Sequence, residues 1–532
     1  MSEAFDYIIV GAGSAGCPLA NRLSTDPRNS VLLLEAGPPD RNPWIHIPIG
    51  YYRTMTSPLS WGYETEPDNG IGGRSIIWPR GKVLGGSSSI NGLAYMRGQK
   101  EDYDYWRQLG NTGWGYDDVL PYFKKSETQE RGGSEFHGDT GPLRVSDIKD
   151  RREISEAFIE AAIESGIPFN EDFNGSYQEG VGHFQTTSYR GRRCSAATAY
   201  LKPIKNRPNL SIETDAQVRW IEFDQKRASK VHYTQRGVQK EAIIKGEIVV
   251  SGGAINSPQL LQLSGIGPAN HLKASGVDVL HDLPGVGAHL QDHYQARIVL
   301  ELNRPLSVND DVRTLFGKAK TALNFALFRR GPMTFSAGHA CLFTKVLPES
   351  ATPDVQVHFV PFSATKLGGT LHPFSGISPS ICQMRPESRG EVMIRSNDPF
   401  EHPAITTNYL STDYDQRLMI EGLKMLRGIL KTPSFDQYVL TEREPGSDVI
   451  SDEALLNYAK EKGNTIFHPT STCRMGQDEL SVVDERLRIH GLQGIRVADC
   501  SIMPAVISGN TNAPAIMIGE KCAAMMIEDA KF

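Results

Sequence analysis

The period of the apolar positions changes along this chain, and each change marks an element. Tyr7 to Val10 is a short apolar run that stops at a glycine, too short for a helix, which predicts a buried strand. Val31 to Leu34 repeats the pattern, and between the two runs Cys17 to Leu23 has helical spacing. Strand, glycine turn, helix and strand in that order make a βαβ unit. Farther on, Glu247 to Val250 enters a second glycine turn at Gly252-Gly253, after which Ser257-Pro258 opens a helix over QLLQLS. Just upstream, LSIETDAQVRWIEFD and KVHYTQR alternate apolar with polar residues and predict an antiparallel meander. Helices are expected over residues 103–126, over Ile154–Ser165 (ending at Gly166), over YDQRLMIEGLKMLRGILK, over 452–462 and over the C-terminal GNTNAPAIMIGEKCAAMMIEDA. Residues 300–450 mix the strands VQVHFVPF and EVMIRS with helical runs, the pattern of a second domain of α+β type. The Pro/Gly-rich stretch after Glu35, through Trp61 to Pro79, predicts a loop able to cover a long ligand.

The first glycine turn carries chemistry. In VGAGSAG, Gly11 permits the tight turn, Gly13 lets backbone approach a pyrophosphate, and Gly16 lets the helix pack close to the strand. An anion is then held by free N–H groups at the positive end of the helix. The second strand ends in Glu35, about 20 residues on, where a carboxylate accepts the ribose hydroxyls of an adenine dinucleotide. A second donor-rich turn lies in RGKVLGGSSSINGLAYMRG, residues 80–98. Its apolar continuation, Ile90 to Met96, pins it to the core and favours ligand contact over a free surface loop.

The 532 residues suit two or more domains, and the composition is that of an ordinary globular enzyme: 39% hydrophobic, 22% charged, net charge −6. That charge gives no pull toward nucleic acid. Seven scattered cysteines without a C-x-x-C pair fit reduced thiols, and no metal-ligand spacing stands out. With no apolar stretch of about 18 residues and a strand beginning within about five residues of the N-terminus, the expectation is a cytoplasmic protein without a signal peptide.

Several motifs together resemble the glucose–methanol–choline (GMC) oxidoreductases. They are the N-terminal fingerprint, GKVLGGSSSINGLAYMRG at 81–98, GAINSPQLLQLSGIG at 253–267, and the blocks at 464–476 and 498–520. The chain looks most like the bacterial branch that holds alcohol, polyethylene glycol, sorbose and choline dehydrogenases. The resemblance implies FAD as cofactor and a Rossmann-like FAD domain (α/β) joined to a substrate domain built on an antiparallel sheet (α+β). The expected division is 1–153 for FAD, with a covering loop at 40–80, then 154–205 for substrate, 206–298 for FAD, 299–460 for substrate and 461–532 for FAD with the catalytic pair. His468 in FHPTSTCRM matches the family's general base, and Asn512 in GNTNAP its second catalytic residue, with Asn510 left as a helix cap. Asn91 matches the residue beside the flavin, Val218 the adenine contact and Asp499 the block near the ribityl chain. Cofactor contacts are further expected from Gly11, Gly13, Ser14, Ala15, Gly16, Glu35 and Ala36. Others fall at Trp61, Gly81, Val83, Gly86, Gly92, Leu93, Ala94, Gly252 and Asn512 itself. Members that bind FAD covalently have a histidine where this chain has Ile90, so non-covalent FAD is expected.

These residues suit the oxidation of a primary alcohol by hydride transfer to the flavin. Histidine is the side chain whose pKa lies near working pH, and an amide supports the developing alkoxide. Pro469 and Pro514 stiffen the backbone beside each. His293, in LQDH, reads as structural. A single dinucleotide fingerprint excludes a second Rossmann site for NAD, so the electrons pass to a quinone, a protein carrier or oxygen. Oxygen as acceptor would make the protein an oxidase, and a flavin-binding protein without alcohol chemistry is the reading from another class. The run LFGKAKTALNFALFRRG, residues 315–331, mixes basic and large apolar residues as a membrane-surface helix does, although an ordinary helix of the substrate domain is the simpler expectation. A peripheral contact with the inner membrane is left open on that account.

Overall fold

The computed structural model describes residues 3–366 and 368–531. Two sheets, each with its own apolar core, organise the chain. The first is seven-stranded. Glu3–Val10 lies in its middle, parallel to Val31–Leu34 on one side and to Val238–Val250 on the other. Val31–Leu34 pairs in turn with Leu210–Glu213, and Val238–Val250 with Ile495–Val497, a strand contributed from nearly the end of the chain. The parallel strands are apolar on both faces because helices cover both. Val238–Val250 also continues as the expected meander through Arg227–Gln235 and Ala216–Asp224. The helix Gly16–Leu23 packs against the last helix, Asn512–Asp529. Gly519 allows that approach, since a Cβ there would stand 2.4 Å from the Ala15 carbonyl oxygen. Arg22 clamps the same pair bidentately onto the buried Glu520, at 2.7 and 2.8 Å.

The second sheet runs Asn464–Thr465, Tyr294–Arg297, Ser380–Gln383, Val355–Phe359, Ala340–Thr344, Gly180–His183, all antiparallel. The chain therefore crosses between the sheets slightly off the expected boundaries. Tyr294–Arg297 and Asn464–Thr465 pair within the second sheet, while Cys194 to Ile204 pack into the first core. Each segment goes where its apolar face finds a partner.

Local differences are of the same kind. Residues 100–126 form two helices, Lys100–Gln108 and Tyr116–Ser126, because Gly110 and Gly113, both at positive φ, break the run. The stretch 40–80 is not all loop: it folds into the short helices Pro43–His46 and Tyr51–Thr54 and a hairpin of Tyr63–Glu64 with Ile77–Trp78. The helix expected to open at Ser257-Pro258 begins earlier, at Gly253.

Candidate active site and dinucleotide cradle

One large cavity lies where the two sheets meet, and the two glycine turns form its floor. Gly13 is open, with nothing within 4 Å of where a Cβ would project, whereas Gly11 and Gly86 are packed on backbone. A Cβ on Gly86 would come within 2.7 Å of the Gly13 Cα, so the GGSSS turn rests directly on the first glycine turn. Glu35 lies at one end of the cavity. Its carboxylate accepts from the backbone N–H of Ala12 at 3.0 Å and of Gly37 at 2.9 Å. Burial nevertheless pushes its pKa up to about 7. Asp499 accepts from Gly253 N at 2.8 Å and Ser257 Oγ at 2.6 Å, which fixes the second glycine turn at the cavity. Asn91 accepts at Oδ1 from Arg193, at 2.6 Å, and from the N–H of Leu93, which leaves the amide nitrogen as its remaining group.

Nearly all the expected cofactor contacts line this cavity: Gly11, Gly13, Ser14, Ala15, Glu35, Ala36, Trp61, Gly81, Gly86, Asn91 to Ala94, Val218, Gly252, Asp499 and Asn512. Two do not. Gly16 instead packs under the turn, where a Cβ would meet the Gly11 carbonyl oxygen at 1.9 Å. Val83, on the bend that leads into the GGSSS turn, instead packs inward on Ile45 and Ile90.

At the opposite end stands His468, on a loop held in an uncommon conformation. Phe467 and Ser471 have φ of 68° and 74°. Asp292 anchors this loop by accepting from the His468 N–H at 2.7 Å, from Thr465 and from Tyr409. Burial pushes Asp292 up to about 6 even so. Arg80 adds a hydrogen bond to the Phe467 carbonyl at 2.6 Å.

The His468 ring lies between two partners. Its Nδ1 is 3.0 Å from the Nδ1 of His293, and its Nε2 is 3.2 Å from the Nδ2 of Asn510. His293 Nε2 in turn faces the Met384 carbonyl at 3.0 Å. A carbonyl only accepts, so the proton of His293 is assigned to Nε2. Burial holds His293 down at about 4, so its Nδ1 is a bare acceptor. His468 must therefore carry its proton on Nδ1 and present an unprotonated Nε2 to Asn510 and the cavity. Burial, followed by His293, His358 and Arg80, holds His468 well below the usual imidazole range, so this neutral form prevails at neutral pH. The Asn510 carbonyl is satisfied from its other side by Gln356 Nε2 at 3.4 Å.

Two of the sequence expectations change places here. Asn510, expected to be a helix cap, is the amide beside His468. Asn512, expected to be the catalytic partner, is the first residue of the last helix, and its Oδ1 accepts from Ser14 Oγ at 2.8 Å over the first glycine turn. Thr511 occupies the capping position and the last helix starts at Asn512, and the side chains of Asn510 and Asn512 meet different partners, His468 and Ser14. His293, read as structural, touches the proposed base directly. His358, Gln295 and Arg297 were not singled out from the sequence, and they line the cavity on the His468 side. The alternation of VQVHFVPF carried a signal for His358, since one face of that strand had to meet the substrate space.

A glycine turn in the βαβ unit of one sheet and a cavity shared with an antiparallel sheet are the architecture of a Rossmann-type oxidoreductase. More narrowly, the chain belongs to the GMC oxidoreductase family, whose N- and C-terminal models match residues 5–295 and 386–519, and it is an FAD-binding flavoprotein. It is 43% identical over 527 residues to an alcohol dehydrogenase [acceptor] of Pseudomonas putida, covering 98% of this chain and 96% of the relative. It is 41% identical over 531 residues to an oxygen-dependent choline dehydrogenase of Chromohalobacter salexigens, covering 98% and 95%. Among solved structures it resembles pyridoxine 4-oxidase from Mesorbium loti, with TM-score 0.89, 31% identity and 98% of both chains covered. It also resembles a formate oxidase variant of Aspergillus oryzae RIB40, with TM-score 0.94, 27% identity, and 100% and 99% covered. No helix among the described residues is long and apolar enough to cross a membrane.

Proposed function

We propose that the protein oxidises a primary alcohol that carries no positive charge, with non-covalently bound FAD as the two-electron acceptor and His468 as general base. The observation that carries this reading is the ordered series Met384 carbonyl, His293, His468, Asn510, which leaves an unprotonated imidazole nitrogen beside the Asn510 amide at the cavity. FAD, when bound along the cradle from Glu35 to Asp499, supplies the acceptor for the carbinol hydrogen. The residues of the chain do the rest. An alcohol oxygen entering between His468 and Asn510 gives its proton to Nε2 and accepts from the Asn510 amide as charge develops on it. His293 holds the Nδ1 proton and so keeps Nε2 available. Asn512 acts on the cofactor side, tying the last helix to the first glycine turn.

The substrate end separates a neutral alcohol from choline. Among the described cavity residues the carboxylates are Glu35 and Asp499, both committed to backbone N–H groups at the cradle. Near His468 the polar side chains include Asn510, His358, Gln295 and the cations Arg80 and Arg297. A trimethylammonium group would be desolvated there with no anion to meet it. A single glycine fingerprint leaves no Rossmann site for NAD, and a quinone or protein carrier is the acceptor this reading favours.

The test is anaerobic reduction of the FAD-loaded protein by a panel of alcohols. Neutral primary alcohols should bleach the flavin while choline does not, and His468→Ala should keep FAD but slow bleaching by roughly 10²-fold or more. Faster reduction by choline, or unchanged kinetics in His468→Ala, refutes the reading. Reoxidation in air as fast as by quinone analogues would make the protein an oxidase.

A further inference from the structure

A surface helix normally turns its apolar stripe inward. The helix Leu315–Phe328 does the reverse. Only Phe325 is buried, while Leu315, Phe316, Leu323, Leu327 and Phe328 are 84, 80, 59, 63 and 66% exposed. At about 100° per residue, Gly317, Thr321, Asn324 and Phe325 share the inner face. The four exposed side chains from Leu315 to Leu327, with alanines between them, form one outward stripe of about 120°. Lys318 and Lys320 border it on opposite sides. The helix is not a frayed segment: Thr314 caps it through the Gly317 N–H at 3.0 Å, and Arg329 covers the Phe325 ring at 4.9 Å.

We propose that this helix lies in the plane of an anionic lipid bilayer, with its apolar stripe among the acyl chains and its lysines at the headgroups. Charge selects this occupant. Between Arg313 and Arg330 stand five cations and no acid, in a chain whose net charge is −6. Among the described residues Lys318, Lys320 and Arg330 make no ion pair; Arg313 pairs with Asp310. Two copies docked through this face would bring like charges together, whereas an anionic surface neutralises them. The position fits as well. The turn after the helix, Pro332–Thr334, packs on Pro48–Gly50, which leads directly into Tyr51, Tyr52 and Met55 of the cavity wall.

The FAD-loaded protein should float with phosphatidylglycerol-containing vesicles at low salt, weakly with phosphatidylcholine alone, and less as salt is raised. Leu323→Gln with Leu327→Gln should lower partitioning roughly 100-fold, and Lys318→Gln with Lys320→Gln roughly 25-fold. All four positions lie outside the cavity, so flavin reduction by a soluble alcohol stays unchanged and certifies the fold. Leu323→Trp should emit farther to the blue on adding anionic vesicles and be quenched by brominated lipid. The proposal is overturned if the wild type stays with the soluble fraction, if the glutamine variants float equally, or if those variants instead dissociate a dimer that ignores vesicles.

Discussion

Replacing His293 with phenylalanine isolates the positioning of the base from the base itself. A planar ring is kept, though a larger one; the Met384 carbonyl loses its donor, the Nδ1 that accepts from His468 at 3.0 Å is lost, and the buried His468 N–H is left without a partner. An unsatisfied buried donor costs about 1–3 kcal/mol. The protein can avoid that cost by moving the His468 proton to Nε2, where it hydrogen-bonds within the cavity but blocks proton abstraction. Either way the competent tautomer loses about that much, and at about 1.36 kcal/mol per tenfold the limiting rate of flavin reduction should fall roughly 5- to 150-fold. The assay is anaerobic stopped-flow reduction at saturating alcohol, with FAD content and melting temperature measured beside it. A KM effect without a change in limiting rate would mean that His293 acts on binding, not on the tautomer. His293→Asn places an amide oxygen near the lost Nδ1 and should recover part of the rate. Limiting reduction within twofold of wild type in the flavin-loaded phenylalanine variant would refute the tautomer argument.

Three further outcomes follow from the same geometry. As pH falls, kcat/KM should stay level through 6.5, the ordinary imidazole value, because the neutral form of His468 is the active one and its pKa is depressed. Asp292, pushed up to about 6, takes a proton first and releases the His468 loop, so Asp292→Asn should remove a limb near 6; a midpoint above 6.5 in both proteins contradicts this. Glu35→Ala should weaken FAD retention, read as flavin lost on dialysis, with no change in reduction rate for the loaded fraction. Arg97→Met should lower thermal stability by about 3–5 kcal/mol, since Arg97 and Glu127 are 1% and 0% exposed and the carboxylate loses its guanidinium; a melting temperature within two degrees of wild type would show that His137 alone can neutralise Glu127.

What was legible in the sequence was what depends on near neighbours. The glycine turn and Glu35 sit within one βαβ unit, where spacing alone sets the geometry, and both came out at the cavity. Asn510 and Asn512 show where this stops. Both sit beside a helix start, and which of them meets His468 is set by contacts with residues far away in the chain, Ser14 for Asn512 and His468 for Asn510. His293 is 175 residues from His468, and nothing in LQDH says which ring it will face. The segment 315–331 has an ordinary apolar content, and only the folded contacts reveal that its stripe looks outward.

The contribution of the last forty residues bears on how the flavoprotein is made. Ile495–Val497 adds to the sheet beside Val238–Val250, Asp499 pins the second glycine turn, and Asn512 closes over Ser14. A nascent chain still attached to the ribosome before these residues emerge lacks the strand that extends the sheet, the carboxylate that pins the second glycine turn and the amide that meets Ser14. Coenzyme capture should accordingly be one of the final events of biosynthesis, and chains stalled ahead of residue 495 should come off colourless even where flavin is abundant.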